Sequence, residues 1–364
     1  PGDYFNTVLY TGNDTDRNIT GVGFQPDITI IKARSAAGYS WNWMDSIRGA
    51  TKSIKSNSAA AEITLPADTF QAFLSDGFEL GADASNLEFN TNTTTYGSWN
   101  WKAGGAPTAD NSAGAGATPT AGSVKIDGSN LGSALAGSIA ATRLSANTTS
   151  GFSIVGYTGD DASSATIAHG LSEAPELIII KSRDSTEGWY IGSSVSPMSF
   201  TSSYYLTLNT DSGKSSSDTI WDDTAPSASI FTVGTNDAVN NTDDFIAYCF
   251  HSIEGYSKVG GYTGNGNADG TFIYTGFRPA FILLKNMDTG TTDWMLEDNK
   301  RLGYNVDNND LMPNQSSAEA TDDRLDIVSN GIKLRASFGT SNTNTDRYLF
   351  YAIAESPFKY SNAR

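Results

Sequence analysis

The chain carries two histidines, His169 and His251, and a single cysteine, Cys249. A Ser-His-Asp or Cys-His mechanism needs a base within reach of a nucleophile and a third group that orients it. Cys249 and His251 lie two apart in the alternating run FIAYCFHSI, so a strand turns both to one side, and nothing else in the spacing completes a site. A buried free thiol is the simpler expectation, and one cysteine excludes an internal disulfide. Carboxylate pairs are more numerous: Asp160 with Asp161, Asp222 with Asp223, Asp243 with Asp244, Asp322 with Asp323. Glycoside hydrolysis needs one carboxyl in a dry site facing a second at a fixed distance. Forty acids in 364 residues make such neighbours common, so solvated turns are expected and no catalytic residue is assigned.

Calcium is the more plausible ligand for such oxygen-rich turns, since it takes about six to eight oxygens from a flexible loop. The stretch NVDNND places Asp307, Asn309 and Asp310 in one loop, and NDTD (13–16) and GDDAS (159–163) are similar. The full EF-hand spacing is absent, and side chains closing their own turns compete with this reading. Calcium is therefore the one cofactor the sequence admits. Of the seven tryptophans, Trp41, Trp43 and Trp294 are the candidates for stacking on sugar faces, although their placement in a repeated pattern favours a core role. No P-loop, dinucleotide fingerprint or Cys/His metal spacing is present.

The net charge of −17 and pI near 4.4 repel phosphate backbones, so binding of nucleic acid through a basic field is not expected. No apolar run approaches the roughly 18–20 residues of a membrane helix, so membrane insertion is not expected either.

These residues belong to a unit that occurs three times. Each copy opens on Tyr-Thr-Gly, at Tyr10, Tyr157 and Tyr262. A polar turn and a proline follow (Pro26, Pro175, Pro279), then an apolar run ending in lysine: ITIIK to Lys32, LIIIK to Lys181, FILLK to Lys285. Tryptophan comes next, at Trp41 and Trp43, at Trp189 and at Trp294, then a strand around Phe78, Phe231 or Ile332. Each copy closes on an aromatic run: TYGSWNWKA, DFIAYCFHSI, RYLFYAIAE. A tandem repeat of this kind is a structural unit.

In the last of these runs Tyr348, Phe350, Ala352 and Ala354 alternate with Leu349, Tyr351 and Ile353. Both sets are apolar, which predicts a strand covered on both faces. The β-branched runs bounded by proline and turn residues predict further short strands. The fold class is therefore all-β: three tandem antiparallel β-sandwich or jelly-roll-like modules. Their spans are 1–105, 150–256 and 257–364. Short helices are expected at Met44–Ile54, with Asp45 as a cap, and in LEDNKRLG. Between the first two modules, 106–149 is rich in Gly, Ala, Ser and Thr. It reads either as a flexible linker or as an extended arm that orders on a neighbouring subunit. The second and third modules are joined so closely that rigid packing between them is expected.

The strings YFNTVLYTGN, ITGVGFQPD, DSIRGATKSIKSNS, LSDGFELGAD, WNWKAGG, EGYSKVGGYTGNG, YTGFRPAFILLK, IVSNGIKLR and AESPFKYSNAR cover nearly the whole chain. In them it resembles a family of virion structural proteins of tailed phages, with marine and cyanobacterial members the most similar. The resemblance implies a component of the particle surface, on a tail fibre or the capsid exterior, often the C-terminal part of a longer fibre. It implies no catalytic residues. The chain departs from the pattern at Gly97 and Ser98, where smaller residues leave room for close packing by another chain.

The expected function is thus that of a non-enzymatic virion protein of fibre or spike type that binds a host-surface glycan or protein through its last module. Its expected partners are other virion proteins, the host receptor and further copies of itself, with a trimer favoured. The alternative is a capsid or tail decoration protein whose 106–149 arm clamps neighbouring subunits. A glycan-cleaving tailspike is the third reading.

Overall fold

The Tyr-Thr-Gly phrase recurs because its tyrosine and its glycine are used in the same way three times. In the computed structural model, which describes residues 2–85, 87–301, 305 and 309–358, the phrase ends the opening strand of each module. That strand pairs antiparallel with the closing one: Phe5–Thr11 with Thr95–Trp101, Phe152–Thr158 with Asp244–Phe250, and Ser257–Thr263 with Arg347–Ala354. The tyrosine stacks on the ring opposite, Tyr10 on Tyr96, Tyr157 on Phe245 and Tyr262 on Tyr348, at 5.0, 5.2 and 4.9 Å. Its hydroxyl donates to the carbonyl of Phe89, Val239 or Ser341. The next residue along is an asparagine, Asn90, Asn240 or Asn342, whose Oδ1 accepts from the N–H of Asn13, Asp160 or Asn265. The glycine allows the two segments to touch. A Cβ at Gly12, Gly159 or Gly264 would stand 2.1, 1.9 or 2.2 Å from a backbone carbonyl oxygen.

The lysine strand lies on the other side of each closing strand: Ile28–Ala33, Leu177–Ser182 and Pro279–Asn286. Next to it runs a short strand preceded by tryptophan: Asn42–Asp45, Tyr190–Ser193 and Met295–Asp298. These four strands form the inner sheet of each module, extended in the first by Lys52–Lys55 and Ile63–Thr64. A small outer sheet faces it, built from Arg17–Thr20, Gly77–Leu80 and Phe70–Leu74 in the first module. In the second module it is Ala165–Ala168 and Ile230–Val233, and in the third Phe272–Tyr274, Gly331–Leu334 and Leu325–Val328. The modules are all-β, with antiparallel sheets facing each other as the sequence predicts.

Each inner sheet is buried on both sides, for two different reasons. One side packs on the module's own outer sheet. In the third module Phe350, Ala352 and Ala354 join Ile273, Ile332 and Leu325 there. The other side meets the other two modules. Leu349, Tyr351 and Ile353 share one core with Ile28, Ile30, Trp41, Trp43, Trp99 and Trp101 of the first module and Ile154, Leu177, Ile179, Trp189 and Tyr248 of the second. The two alternating apolar sets of RYLFYAIAE thus go to two separate cores. At the centre of the shared core is a cavity of about 40 Å³ lined by side chains of all three modules, among them Ile28, Leu177, Phe281, Trp101, Phe250 and Tyr351. The surface these side chains present to it is apolar.

The modules close into a ring. Trp41 Nε1 of the first module donates to the carbonyls of Met312 and Gln315 in the third, at 2.9 and 3.1 Å. Trp189 of the second donates to Lys55 and Ser58 of the first, and Trp294 of the third to Thr207 of the second. Each tryptophan also has its own N–H held by an asparagine, Asn57, Asn209 or Asn314, on the strand connection of its module. Arg34 forms a two-pronged ion pair with Glu319, and Arg183 does the same with Glu62. At the third seam Met287 occupies the position of these arginines, and a Lys214–Asp288 pair at 2.6 Å takes their place. The arrangement is an approximate threefold axis made by one chain.

The stretch 106–149 forms neither a free linker nor an arm extended away from the chain. Its strands Val124–Ile126 and Arg143–Asn147 pair parallel, and Arg143–Asn147 pairs antiparallel with Phe152–Thr158, so the segment widens the second module's inner sheet. Leu135, Ile139, Ala141, Leu144 and Ala146 enter that module's core. Arg143 Nη1 donates to the carbonyl of Ile47, tying the segment to the first module. The helix expected at Met44–Ile54 is instead a strand end, a turn and the start of the strand Lys52–Lys55. Asp45 does act as a cap there, with Oδ1 accepting from the N–H groups of Ile47 and Arg48. Asp298 does the same for Lys300 and Arg301 in LEDNKRLG, with no helix among that stretch's described residues. A four-residue helix occurs elsewhere, at Asp218–Trp221. The room foreseen beside Gly97 is filled by the ring of the chain's own Trp99.

The three lysines that end the apolar runs are fully buried. Their ammonium groups donate to backbone carbonyls: Lys32 to Ala33 and, in the third module, Ser316; Lys181 to Ser182 and Ser185; Lys285 to Thr292 and, in the second module, Asp211. Burial lowers each to about 8. The unfolded chain therefore binds more protons than the folded one between about 8 and the ordinary lysine value of 10.5, and stability rises with pH across that interval. Above 10 the buried tyrosines Tyr10, Tyr157 and Tyr262, whose burial raises them well above their ordinary value, act in the opposite sense. The melting temperature should thus climb between pH 8 and 10. A variant with all three lysines replaced by methionine should show no climb.

Candidate functional site

The residues best suited to covalent chemistry lie inside. Cys249 is in the second module's core, and burial pushes its thiol up to about 12, so no thiolate forms near neutral pH. His169 is neutral, because burial lowers it to about 4; its Nδ1 accepts from the Leu171 N–H, and Nε2 lies 3.0 Å from the Ser227 carbonyl. The adjacent aspartate pairs are taken up by hydrogen bonds, some closing turns and those of Asp222 and Asp223 tying separate segments together. Asp160 accepts from Ala162 N–H, Asp222 from Ser164, Asp223 from Ser203, Asp243 from Asn241, and Asp322 from Arg324. Carboxyls raised by burial are different ones: Asp27, Asp83, and the pair Glu297 and Asp310, on segments bridged at Leu296 and Leu311. The pair is enclosed with Arg324 Nε 2.9 Å from Asp310 Oδ2 and Arg301 Nη2 3.8 Å from Glu297.

Of the calcium candidates, Asp307 lies outside the described residues. Asn309 and Asp310 pair as a strand with Ala320–Thr321. Asn309 Oδ1 accepts from Thr321, and Asp310 faces an arginine. Among the described residues no group of three or more His, Cys, Asp or Glu is arranged to hold a metal ion. The sugar-stacking candidates need correction. Trp41, Trp43 and Trp294 are 1%, 7% and 1% exposed. Trp41 stands 5.2 Å from the ring of Trp99, and Trp43 5.0 Å from that of Trp189. They make the seams between modules, which is why they recur.

The exposed rings lie elsewhere. Phe272 and Tyr274 are 45% and 59% exposed, on the first strand of the third module's outer sheet. Ile273 between them points into the core. The register places Phe272 beside Lys333 and Tyr274 beside Gly331, and continues across the sheet to Asp326 and Val328. Gly331 lets the Phe272 ring lie against the sheet: a Cβ there would come within 3.0 Å of that ring and 2.1 Å of the Ile273 carbonyl oxygen. Lys333 Nζ is 2.6 Å from Asp269, and Arg335 pairs with Asp326. One outward face thus carries two rings flanked by two ion pairs.

The same face differs in the other copies. In the first module the registers place Asn18 and Thr20 where Phe272 and Tyr274 stand. In the second they place Thr166 and Ala168 there, and the 106–149 segment covers the strand edge. Ser138 and Ile139 N–H groups donate to the Thr166 carbonyl, and Ser138 Oγ accepts from its N–H. The sequence reading passed over FIY because it is an ordinary half-buried strand. Setting the three copies side by side marks it, since polar or small residues stand at its two outer positions in the other modules.

Comparison with known proteins leads to one family. A domain of unknown function, DUF7483, matches residues 1–126 and again 126–357. No curated protein matches the chain. The chain belongs to the DUF7483 family.

Proposed function

We propose that this DUF7483 protein is a virion structural component of a tailed phage, of fibre or spike type, which binds a host-surface receptor through its third module and catalyses nothing. The observation that carries the reading is the outer sheet of that module, where Phe272 and Tyr274 stand exposed and the matching positions of the other modules hold Asn18, Thr20, Thr166 and Ala168. Two exposed rings side by side on one strand mark an interaction site more strongly than the singly exposed Ile63, Leu87, Phe338 and Phe358. The shared core and the ring of tryptophan bonds provide a rigid support for it. The resemblance to tailed-phage virion proteins, on the strings given above, supplies the biological setting. Other virion proteins would anchor the chain at the particle surface. Association of copies, a trimer being favoured, would multiply a weak contact by avidity.

The experiment is competition for adsorption. The isolated full chain, added in excess, should slow attachment of the parent phage to its host. A chain carrying Phe272→Ala and Tyr274→Ala should do so at least about tenfold less well, as two lost ring contacts imply. The full chain is required, because the third module alone would expose its part of the shared core. Unimpeded adsorption in the presence of the folded wild-type chain would end the proposal. The decoration reading drew on an arm reaching neighbouring subunits, and here the strands of 106–149 pair within the chain.

A further inference from the structure

We infer that the outer face of the third module binds a pyranose-containing glycan, with Phe272 and Tyr274 as the stacking platform; this rests on the receptor-binding reading above. The two residues are two apart on one strand, which sets their Cα atoms about 6.6 Å apart along it, a span that one or two adjacent sugar rings can cover. The face of an aromatic ring is electron-rich and attracts the polarised C–H bonds on the apolar side of a pyranose. Gly331, directly beside Tyr274 in the register, seats the Phe272 ring against the sheet, since a Cβ there would come within 3.0 Å of that ring. Around the two rings stand the Lys333–Asp269 and Arg335–Asp326 pairs. Asp269 is 87% exposed along its side chain, so its free lone pairs and the lysine's donors can each meet a sugar hydroxyl. Ion pairs of this kind offer donors and acceptors together without a net charge.

A peptide strand is the other occupant such a sheet could take, and the edge is set against it. In the second module the matching edge accepts a strand of the chain itself at Thr166. In the third, Lys258 Nζ donates to the Tyr274 carbonyl at 2.9 Å and stands 5.2 Å from its ring centroid. A lysine at a strand edge opposes the addition of another strand. The edge is thus guarded, while Tyr274, one ring face under that ammonium, remains 59% exposed.

The test uses fluorescently labelled full-length chain and host cells treated in one of two ways, with periodate to cleave vicinal diols of surface sugars or with protease to remove surface polypeptides. Binding to untreated cells that falls at least about tenfold after periodate and survives protease is the expected result. The Phe272→Ala and Tyr274→Ala chains should each lose about three- to tenfold in affinity, while Phe272→Tyr retains it. Binding that survives periodate and disappears with protease overturns the glycan assignment and leaves the receptor-binding function standing. A folded chain that binds no untreated cells overturns both.

Discussion

Replacing Trp189 with alanine should destabilise the whole chain by about 3–5 kcal/mol, the cost of removing a large buried aromatic. Its ring is fully enclosed and stands 5.0 Å from that of Trp43 in the preceding module. Its Nε1 holds the carbonyls of Lys55 and Ser58. The alanine variant leaves a cavity on the shared core and removes the donor from two carbonyls of another module. Because the inner faces of all three modules meet in that core, the loss should not stay local. Calorimetry of the wild type should show one cooperative transition, and the variant should show one transition at lower temperature. Three separable transitions, with the second alone displaced, would mean that the modules unfold independently and that the shared core does not couple them. Trp189→Phe keeps one six-membered ring in the core and loses the Nε1 donor with the rest of the indole, so it should cost less than alanine, about 1–3 kcal/mol.

The second large effect is expected at Gly159. A methyl group there would stand 1.9 Å from the Asn241 carbonyl oxygen and 2.9 Å from Asn240 Oδ1. Backbone and a fully buried asparagine are the obstacles, so neither can swing aside. Asn240 is also the residue that fixes the turn, donating to the carbonyls of Ala162 and Gly234. Gly159→Ala should therefore cost about 3–5 kcal/mol, in the range seen when packing and a buried polar network fail together. Gly12→Ala and Gly264→Ala should cost similar amounts, because the contacts there are 2.1 and 2.2 Å. Gly132→Ala is the control: no atom comes within 4 Å of its Cβ, and the change should remain within about 0.5 kcal/mol. Urea denaturation of the four variants would decide it. Equal midpoints for Gly159→Ala and Gly132→Ala would refute the close-approach account of the Tyr-Thr-Gly phrase.

Much of this architecture is legible in the residues. The triplication is readable from Tyr10, Tyr157 and Tyr262, because identical local contacts demand identical residues. The two-sided burial of the closing strand is readable from the double alternation in RYLFYAIAE. What the alternation cannot say is what lies on the second side. The contacts that close the ring join residues far apart in the chain, as Trp41 with Met312 or Arg34 with Glu319, and no local pattern encodes such a pairing. The fate of 106–149 was hidden for a related reason. Small residues such as Ala141 and Ala146 look too slight to form a core, and they do so only against Leu144, Val155 and Ile178. The tryptophans misled because sugar platforms and packed seams use the same side chain. Burial alone separates the two, and burial is a property of the assembled ring. Phe272 and Tyr274 carried no signal singly; they stand out only by contrast with Asn18 and Thr20.

The approximate threefold axis within one polypeptide has a bearing on stoichiometry. In an assembly of identical subunits every surface substitution appears on each of them. Here a mutation alters one copy and leaves the other two to hold the scaffold. That freedom lets Phe272 and Tyr274 stand on one outer sheet while the matching positions of the other two hold polar or small residues. Under the receptor-binding proposal each chain would then offer one such face, and tight attachment would come from the number of chains brought together.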